Sequence, residues 1–341
     1  MTDQDSRILV VAQAWIGDVV LSQILYALLK RQQPDASIDV VAPNWAGALL
    51  ERMPQVSRHI PLDVRHGQLG LWRRWATARR LNAEYQQAIV IPRSMKAALL
   101  PWAAGIRKRI GFDTGIRNTL INDSRPRPPD IMTRMARLAS PDPVDPNSIP
   151  RPRLEVDPEK TADALRQWEI DPSEPVVGLM PGAAYGRAKE WGVESFAQLA
   201  AMLSKHGSRI CVVGTSKDRP IGDTIARVAP EQVVNLCGET SLNQAIHLIS
   251  GFAAAVCNDS GLMHIAAAVD TPVIGIYGPT SPDTHPPLAD ARKIFSVRTL
   301  CSPCHRRTCP YGHHACMTRI TPKQVCEATL SLLGKRSTLL Q

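Results

Sequence analysis

A chain of 341 residues, 44% hydrophobic and 21% charged, has the make-up of an ordinary soluble globular protein with room for two cores of about 150 residues each. It holds no run of 18 apolar residues, and its polar, acidic start is not the plan of a signal peptide, so neither a membrane span nor export is expected and the protein is placed in the cytoplasm. The net charge of +9 is unevenly spread: residues 1–150 carry 20 Lys/Arg against 13 Asp/Glu (+7), whereas residues 151–341 carry 20 against 18 (+2).

In chain order, residues 7–13 read as a central parallel strand and 19–31 as an amphipathic helix, with Ala14-Trp-Ile-Gly-Asp18 between them. Asp18 then follows the carboxyl end of the first strand, where it is a candidate general base and equally a candidate N-cap for the helix. Further strands are expected at 37–42, 88–91 and 108–112, with helices near 44–52, 69–81 and 94–104. From Arg65 to Arg137 the chain has 15 basic residues, opposed only by Glu84, Asp113, Asp123 and Asp130. Such a stretch implies a large anionic partner, for which nucleic acid, an anionic lipid headgroup and a phosphorylated sugar all answer, and a merely solvated basic face answers too. Arg93, Lys96, Arg107 and Arg109 are its candidate contacts. Residues 141–158, rich in Pro, Asp, Asn, Ser and Arg, read as a stiff connector near a domain boundary.

The second half repeats the alternation, with strands at 176–180, 209–213, 233–236, 252–256 and 272–277 and helices near 194–206, 218–228, 241–249 and 262–269. The expected fold class is α/β, with two doubly wound, Rossmann-like sheets facing a cleft. Ligands of such sheets bind beyond the carboxyl ends of the strands, which singles out residues 181–191, 214–218 and 258–261. Arg187 and Lys189 can reach phosphate oxygens, and Asp218 can accept from ribose hydroxyls. Asp259-Ser260-Gly261 opens a helix, with Ser260 as its N-cap and Gly261 giving a diphosphate access to backbone N–H groups at the positive end of the helix dipole. Each has a structural alternative: a surface lysine at 189, helix caps at Asp218 and Ser260, and at His264 a helix residue bonded to a neighbour's carbonyl.

These residues also carry a resemblance. Asp259-Ser-Gly-Leu-Met-His-Ile-Ala-Ala-Ala followed by Tyr277-Gly-Pro-Thr-Ser-Pro-Asp283 resembles the signature of the family 9 glycosyltransferases, the ADP-heptose:lipopolysaccharide heptosyltransferases of Gram-negative bacteria. Trp15-Ile-Gly-Asp-Val-Val-Leu-Ser-Gln, Ala42-Pro-Asn-Trp-Ala, Arg52-Met-Pro-Gln-Val56 and Pro92-Arg-Ser-Met-Lys-Ala-Ala-Leu narrow the likeness to the type that adds the second heptose, over most of residues 7–290. Type I of the family, which adds the first heptose, or another family 9 glycosyltransferase is the alternative. The resemblance implies a GT-B fold with an acceptor domain at 1–160, a nucleotide-sugar domain at 161–321, and a helix and tail at 322–341, the helix crossing back to the first domain. It implies ADP-heptose as donor, heptosyl-Kdo2-lipid A as acceptor, contact with the anionic inner-membrane surface from the cytoplasmic side, and no cofactor for catalysis. It assigns Asp18 as general base, Lys189 to the phosphates and Asp218 to the ribose, with Asp259, Ser260, Gly261, Leu262 and His264 forming the sugar and diphosphate loop. One departure is Ala184-Tyr185, where some relatives in the wider family carry hydroxyl residues.

Two rival classes fare less well on the residues. A nicotinamide dehydrogenase needs Gly-x-Gly-x-x-Gly after its first strand, and this chain has Ala-Trp-Ile-Gly-Asp. A zinc-containing nucleic-acid-binding protein would suit the pI of about 9.3, but only 5% of residues are aromatic, so nucleic acid is not an expected partner. Of the eight cysteines, Cys211, Cys237, Cys257 and Cys326 read as buried small hydrophobes. Cys301, Cys304, Cys309 and Cys316, near His305, His313 and His314, are candidate ligands for a structural zinc or iron, with free or disulfide-prone thiols as the alternative.

Overall fold

The computed structural model describes residues 6–62, 64, 70–81, 85–171 and 173–339, the stretch 335–339 as backbone. The acidic start 1–5, Arg65, Leu69 at the head of one expected helix, Glu84 and the final residues 340–341 lie outside the described residues. The chain divides into two compact units, 1–152 and 153–341.

The first unit runs β1 (Arg7–Val11), α1 (Ile16–Gln32), β2 (Ser37–Ala42), α2 (Gly47–Leu50), β3 (Arg58–Pro61), α3 (Leu71–Leu81), β4 (Gln87–Val90), α4 (Met95–Ala103), β5 (Lys108–Phe112), β6 (Asp123–Arg125) and α5 (Ile131–Ala139). Its six strands are all parallel in the order β3-β2-β1-β4-β5-β6. The apolar run of β1 is buried on both faces, which is why it holds the centre, and α1 packs on α5. From β1 the chain builds outward to β3, then returns to β4 and builds the other way. The order therefore reverses between β1 and β4, and it is outside the carboxyl ends of the strands at such a reversal that doubly wound sheets bind their ligands.

The second unit runs α6 (Pro158–Arg166), β7 (Val176–Met180), α7 (Val193–Lys205), β8 (Arg209–Val212), α8 (Arg219–Ala226), β9 (Val233–Asn235), α9 (Leu242–Ser250), β10 (Ala254–Asn258), α10 (Gly261–Ala268), β11 (Val273–Tyr277), β12 (Arg292–Ser296), α11 (Ala315–Thr318) and α12 (Pro322–Leu339). Its sheet is parallel in the order β12-β11-β10-β7-β8-β9, so the reversal falls between β7 and β10. Gly178 in β7 is required by close approach, since a Cβ there would stand 2.4 Å from the Phe252 ring. The terminal helix α12 packs on α7, with Val325 and Cys326 buried in the core of this unit. Among the described residues no helix is long and apolar enough to cross a membrane.

Candidate active site

In the second unit the two strands flanking the reversal deliver the sugar-nucleotide candidates together. After β7 the chain makes a 3-10 turn at Arg187–Lys189, and after β10 it passes through Asp259 and Ser260 into α10. The Lys189 ammonium lies 2.6 Å from Asp259 Oδ2 and 3.3 Å from the Asp259 carbonyl oxygen, with the two side chains only 13% and 9% exposed. The Thr280 hydroxyl, beyond β11, donates to the same Oδ2 at 2.6 Å. Burial works against the Asp259 charge, but Lys189 beside it and the hydrogen bonds from Lys189 and Thr280 outweigh burial and hold the carboxyl below its usual range. Lys189 is thus no surface lysine. It is a nearly buried cation at a strand end, bonded to a group that an anionic ligand can replace.

The start of α10 departs from expectation. Ser260 occupies the N-cap position with extended backbone (φ −145°, ψ 172°), yet its hydroxyl makes no capping bond. The buried Ser260 Oγ and the Nδ1 of His264 both lack a hydrogen-bond partner among the described residues. The bond from His264 to a neighbouring carbonyl is accordingly not made at Nδ1. Residues four apart share one face of a helix, so two orphaned polar atoms mark the same side of this N-terminus. Burial drives the His264 pKa down to about 4, Lys189 adding and Asp259 opposing, so the imidazole is neutral at physiological pH. Gly261 and Leu262 form the first residues of α10, where backbone N–H groups are unsatisfied by the helix itself.

Buried Asn258 fixes the two loops to one another. Its Oδ1 accepts from Trp191 N at 3.1 Å, and its Nδ2 donates to Pro181 O at 2.6 Å. Tyr185 takes a different part from a phosphate ligand: its hydroxyl donates to His305 O at 2.8 Å while Lys189 and Arg307 stand over its ring at 5.0 and 5.3 Å. Gly186, at φ +154°, is required by the same contact, since a Cβ would strike Arg307 O at 2.5 Å. Arg187 is exposed and acts electrostatically on Glu190, whose carboxyl is pushed up by burial, with Arg187 opposing and Asp218 adding. Asp218 occupies the N-cap position of α8 but makes no cap bond to that helix; its Oδ2 instead accepts from Thr215 N and Oγ1, both at 2.8 Å, closing the preceding 3-10 turn at Ser216–Asp218. Its carboxylate also lies against Gly182 and Gly214, two strand-end glycines whose missing side chains leave it room.

The cysteine-rich loop buttresses these turns. Ala188 N donates to Arg307 O, His305 N to Pro279 O, and Ser302 Oγ to Gly278 O. Cys301, Cys304, Cys309 and Cys316 are free thiols, and among the described residues no group of three or more His, Cys, Asp or Glu side chains is arranged to hold a metal ion. The four thiols are nevertheless within electrostatic reach of one another, since burial raises the Cys316 pKa and Cys301, Cys304 and Cys309 add to it. Cys301 Sγ stands 3.9 Å from His313 Nε2, the backbone N–H groups of His314, Tyr311, Gly312 and His313 lower the Cys309 pKa, and Cys316 Sγ lies against Gly278. Cys211, Cys237, Cys257 and Cys326 are buried, as expected.

In the first unit Asp18 lies at the reversal between β1 and β4. The helix begins at Ile16 rather than Val19, with Trp15 at the N-cap, so Asp18 falls inside the first turn and is not a cap. It is half-buried, and the Gln13 side-chain amide, oriented to donate, reaches both of its oxygens, one at 3.3 Å. Asp18 also acts on Arg127 and Arg134, whose pKa values burial lowers, Arg134 to about 10, with neighbouring arginines adding and Asp18 opposing. Arg93 acts on both, and on buried Arg117. A carboxylate set among arginines at the switch point suits a polyanionic ligand.

The four basic candidates are not brought together. Arg93 and Lys96 lie just beyond β4, at the carboxyl edge of the sheet. Arg107 and Arg109 lie at the amino end of β5, roughly 15 Å away along the strands. There the Arg109 guanidinium donates to Leu120 O and Ile106 O, both at 2.6 Å, a structural use of the side chain. An open depression at this amino edge is lined by Arg107, Lys108, Asn122, Asp123 and Ser124 and includes none of Asp18, Arg93, Lys189 or Asp259.

The family described as glycosyltransferase family 9 (heptosyltransferase) matches residues 74–315. The chain is 39% identical to lipooligosaccharide heptosyltransferase 2 of Haemophilus influenzae, over 96% of this chain and 100% of that one. It is 36% identical to lipopolysaccharide heptosyltransferase 2 of Escherichia coli, over 96% and 98%. The solved structure of E. coli ADP-heptose lipopolysaccharide heptosyltransferase II superposes with a TM-score of 0.86 at 34% identity, covering 97% of this chain and 99% of that one. The E. coli heptosyltransferase WaaC with ADP shares the fold, with a TM-score of 0.72 at 19% identity over 96% and 99%. With the family matched over most of its length and near-full-length relatives well above 30% identity, the chain belongs to glycosyltransferase family 9.

Proposed function

We propose that the chain is an inverting heptosyltransferase II, moving L-glycero-D-manno-heptose from ADP-heptose to the first heptose of the lipopolysaccharide inner core on Kdo-lipid A. The observation that carries this reading is the nearly buried Lys189–Asp259 pair beside the unpaired Ser260 hydroxyl and His264 imidazole, at the switch point of a doubly wound sheet. The acceptor hydroxyl attacks the anomeric carbon from the face opposite ADP. Asp18 takes the hydroxyl proton, and the anomeric C–O bond breaks with its electron pair leaving on ADP. Lys189 and the backbone N–H groups at the start of α10 stabilise the charge growing on the diphosphate, with Ser260 and neutral His264 as further polar contacts and Asp218 at the ribose. Arg93, Lys96, Arg127 and Arg134 receive the anionic groups of the acceptor, at the cytoplasmic face of the inner membrane.

Because a lysine and a helix N-terminus supply the positive charge, transfer runs without a divalent metal. An unaltered rate in EDTA supports this, and a lost rate with the fold intact contradicts it. The function itself is tested by giving the protein ADP-heptose with lipopolysaccharide truncated after the first heptose and with a heptose-free acceptor. Extension of the first alone is expected, whereas extension of the heptose-free acceptor alone would make the protein a heptosyltransferase I.

A further inference from the structure

We infer that α3 is a docking helix that lays the first unit on the surface of an anionic phospholipid bilayer. This deepens the reading of a lipid-borne acceptor and rests on it for its biological purpose, but not for its evidence. The sequence of α3 is Leu-Trp-Arg-Arg-Trp-Ala-Thr-Ala-Arg-Arg-Leu, with four arginines and no acidic residue. Only Ala78 and Leu81 are buried, and both belong to the core of the unit. Leu71, Trp72 and Trp75 are 54%, 73% and 44% exposed. At about 100° per residue, Leu71, Trp72, Trp75 and Arg79 fall on one outward face. The two indoles stack with centroids 5.1 Å apart, and the Arg79 guanidinium lies 4.8 Å from the Trp75 ring centre.

A surface helix ordinarily turns its apolar stripe inward and its polar side to water. This one turns an aromatic stripe outward and flanks it with exposed Arg73 and Arg80. Indole rings settle at the boundary between headgroups and acyl chains, and guanidinium groups pair with the phosphates beside them. Charge decides among occupants. A second copy of the chain would bring the same four arginines against these four, whereas an anionic bilayer complements them. The association is peripheral, in keeping with the lack of a membrane-crossing helix among the described residues.

The test uses full-length protein and vesicles containing neither donor nor acceptor, so its outcome is independent of whether heptose transfer is the reaction. Co-sedimentation with phosphatidylglycerol/phosphatidylethanolamine vesicles should exceed that with phosphatidylcholine vesicles about tenfold or more, and should fall as salt rises. Trp72→Ser/Trp75→Ser and Arg79→Glu/Arg80→Glu should each lower binding about tenfold, with ADP affinity and thermal midpoint unchanged. On acceptor embedded in vesicles both variants should lose a similar factor in kcat/KM, while an acceptor stripped of its fatty acids is processed as by wild type. Variants that sediment like wild type, or a wild type that ignores anionic vesicles, would overturn the inference. Equal loss on the embedded and the stripped acceptor would also overturn it, making α3 a binder of the glycan.

Discussion

Replacing Lys189 by alanine should damage the second unit in two separable ways. The ammonium stands 2.6 Å from Asp259 Oδ2, with both side chains about nine-tenths covered, so its loss leaves a buried carboxylate with the Thr280 hydroxyl but no bonded cation. Removing one partner of a buried pair costs about 3–5 kcal/mol, which for a unit of this size lowers the thermal midpoint by on the order of 10 °C. The lost charge-assisted contact with the diphosphate, about 1.5–3 kcal/mol, weakens ADP about 10- to 150-fold. Adding Asp259→Asn removes the stranded charge, so the double variant should recover much of the stability and none of the ADP affinity. The pH dependence has a definite sign. The folded Asp259 carboxyl titrates below its unfolded value, so the pair's contribution is whole above the unfolded carboxylate pKa and is lost as pH falls through the folded one. The stability gap between wild type and Lys189→Ala should therefore be widest at high pH and narrow as pH falls, because in the variant burial is no longer offset by Lys189 and the raised carboxyl protonates first. Calorimetry with ADP and melting curves across pH measure both effects. A folded Lys189→Ala protein with ADP affinity within about twofold of wild type would refute the assignment of Lys189 to the donor.

Ser260→Ala should leave the thermal midpoint unchanged, since the hydroxyl caps nothing, and should weaken ADP about two- to tenfold; a stability loss without an affinity loss would restore the cap. His264, held to about 4, binds its proton later than the unfolded chain does, so its contribution is whole above about pH 6.5 and declines as pH falls toward 4. His264→Gln should flatten that part of the melting-temperature profile, and an unchanged slope would contradict the burial argument. Arg93→Ala/Arg127→Ala should raise the acceptor KM and reduce its salt dependence, whereas Arg107→Ala/Arg109→Ala should leave both unaltered. Initial rates at several ionic strengths distinguish the two pairs.

The central strands were legible because their residues leave no choice. Ser37–Ala42, Lys108–Phe112 and Val176–Met180 lie where the apolar pattern puts them, and α10 is displaced from its expected span by a single residue. Of the four edge strands only Val233–Asn235 was legible: Arg58–Pro61, Asp123–Arg125 and Arg292–Ser296 are short, polar and half-exposed, and they exist because a neighbour offers a ladder. Strand-end reasoning singled out Lys189, Asp259, Ser260 and His264, marked Asn258 only as part of 258–261 without a role, and passed over Thr280, because the parts of these last two depend on loops distant in sequence. Asn258 lay in plain view at a strand end. Arg127 and Arg134 carried no such mark, since one follows the three-residue β6 and the other sits on α5, which the periodicity did not reveal. The basic run was correctly noticed and too coarsely read, because charge counts cannot tell the carboxyl edge of a sheet, with Arg93, from its amino edge, with Arg109.

The division of labour between a first-unit base and a second-unit donor site is tested most directly by Asp18→Asn. Asn keeps the shape and can accept a hydrogen bond, but it cannot take a proton, and Asp18 lies within the first turn of α1 rather than at its cap. Losing the carboxylate near the helix N-terminus costs only about 0.3–1 kcal/mol of stability. Turnover should nevertheless fall about 10²- to 10⁴-fold, with ADP affinity unchanged. A folded Asp18→Asn enzyme that keeps more than about a tenth of the wild-type kcat would contradict the assignment of Asp18 as the base.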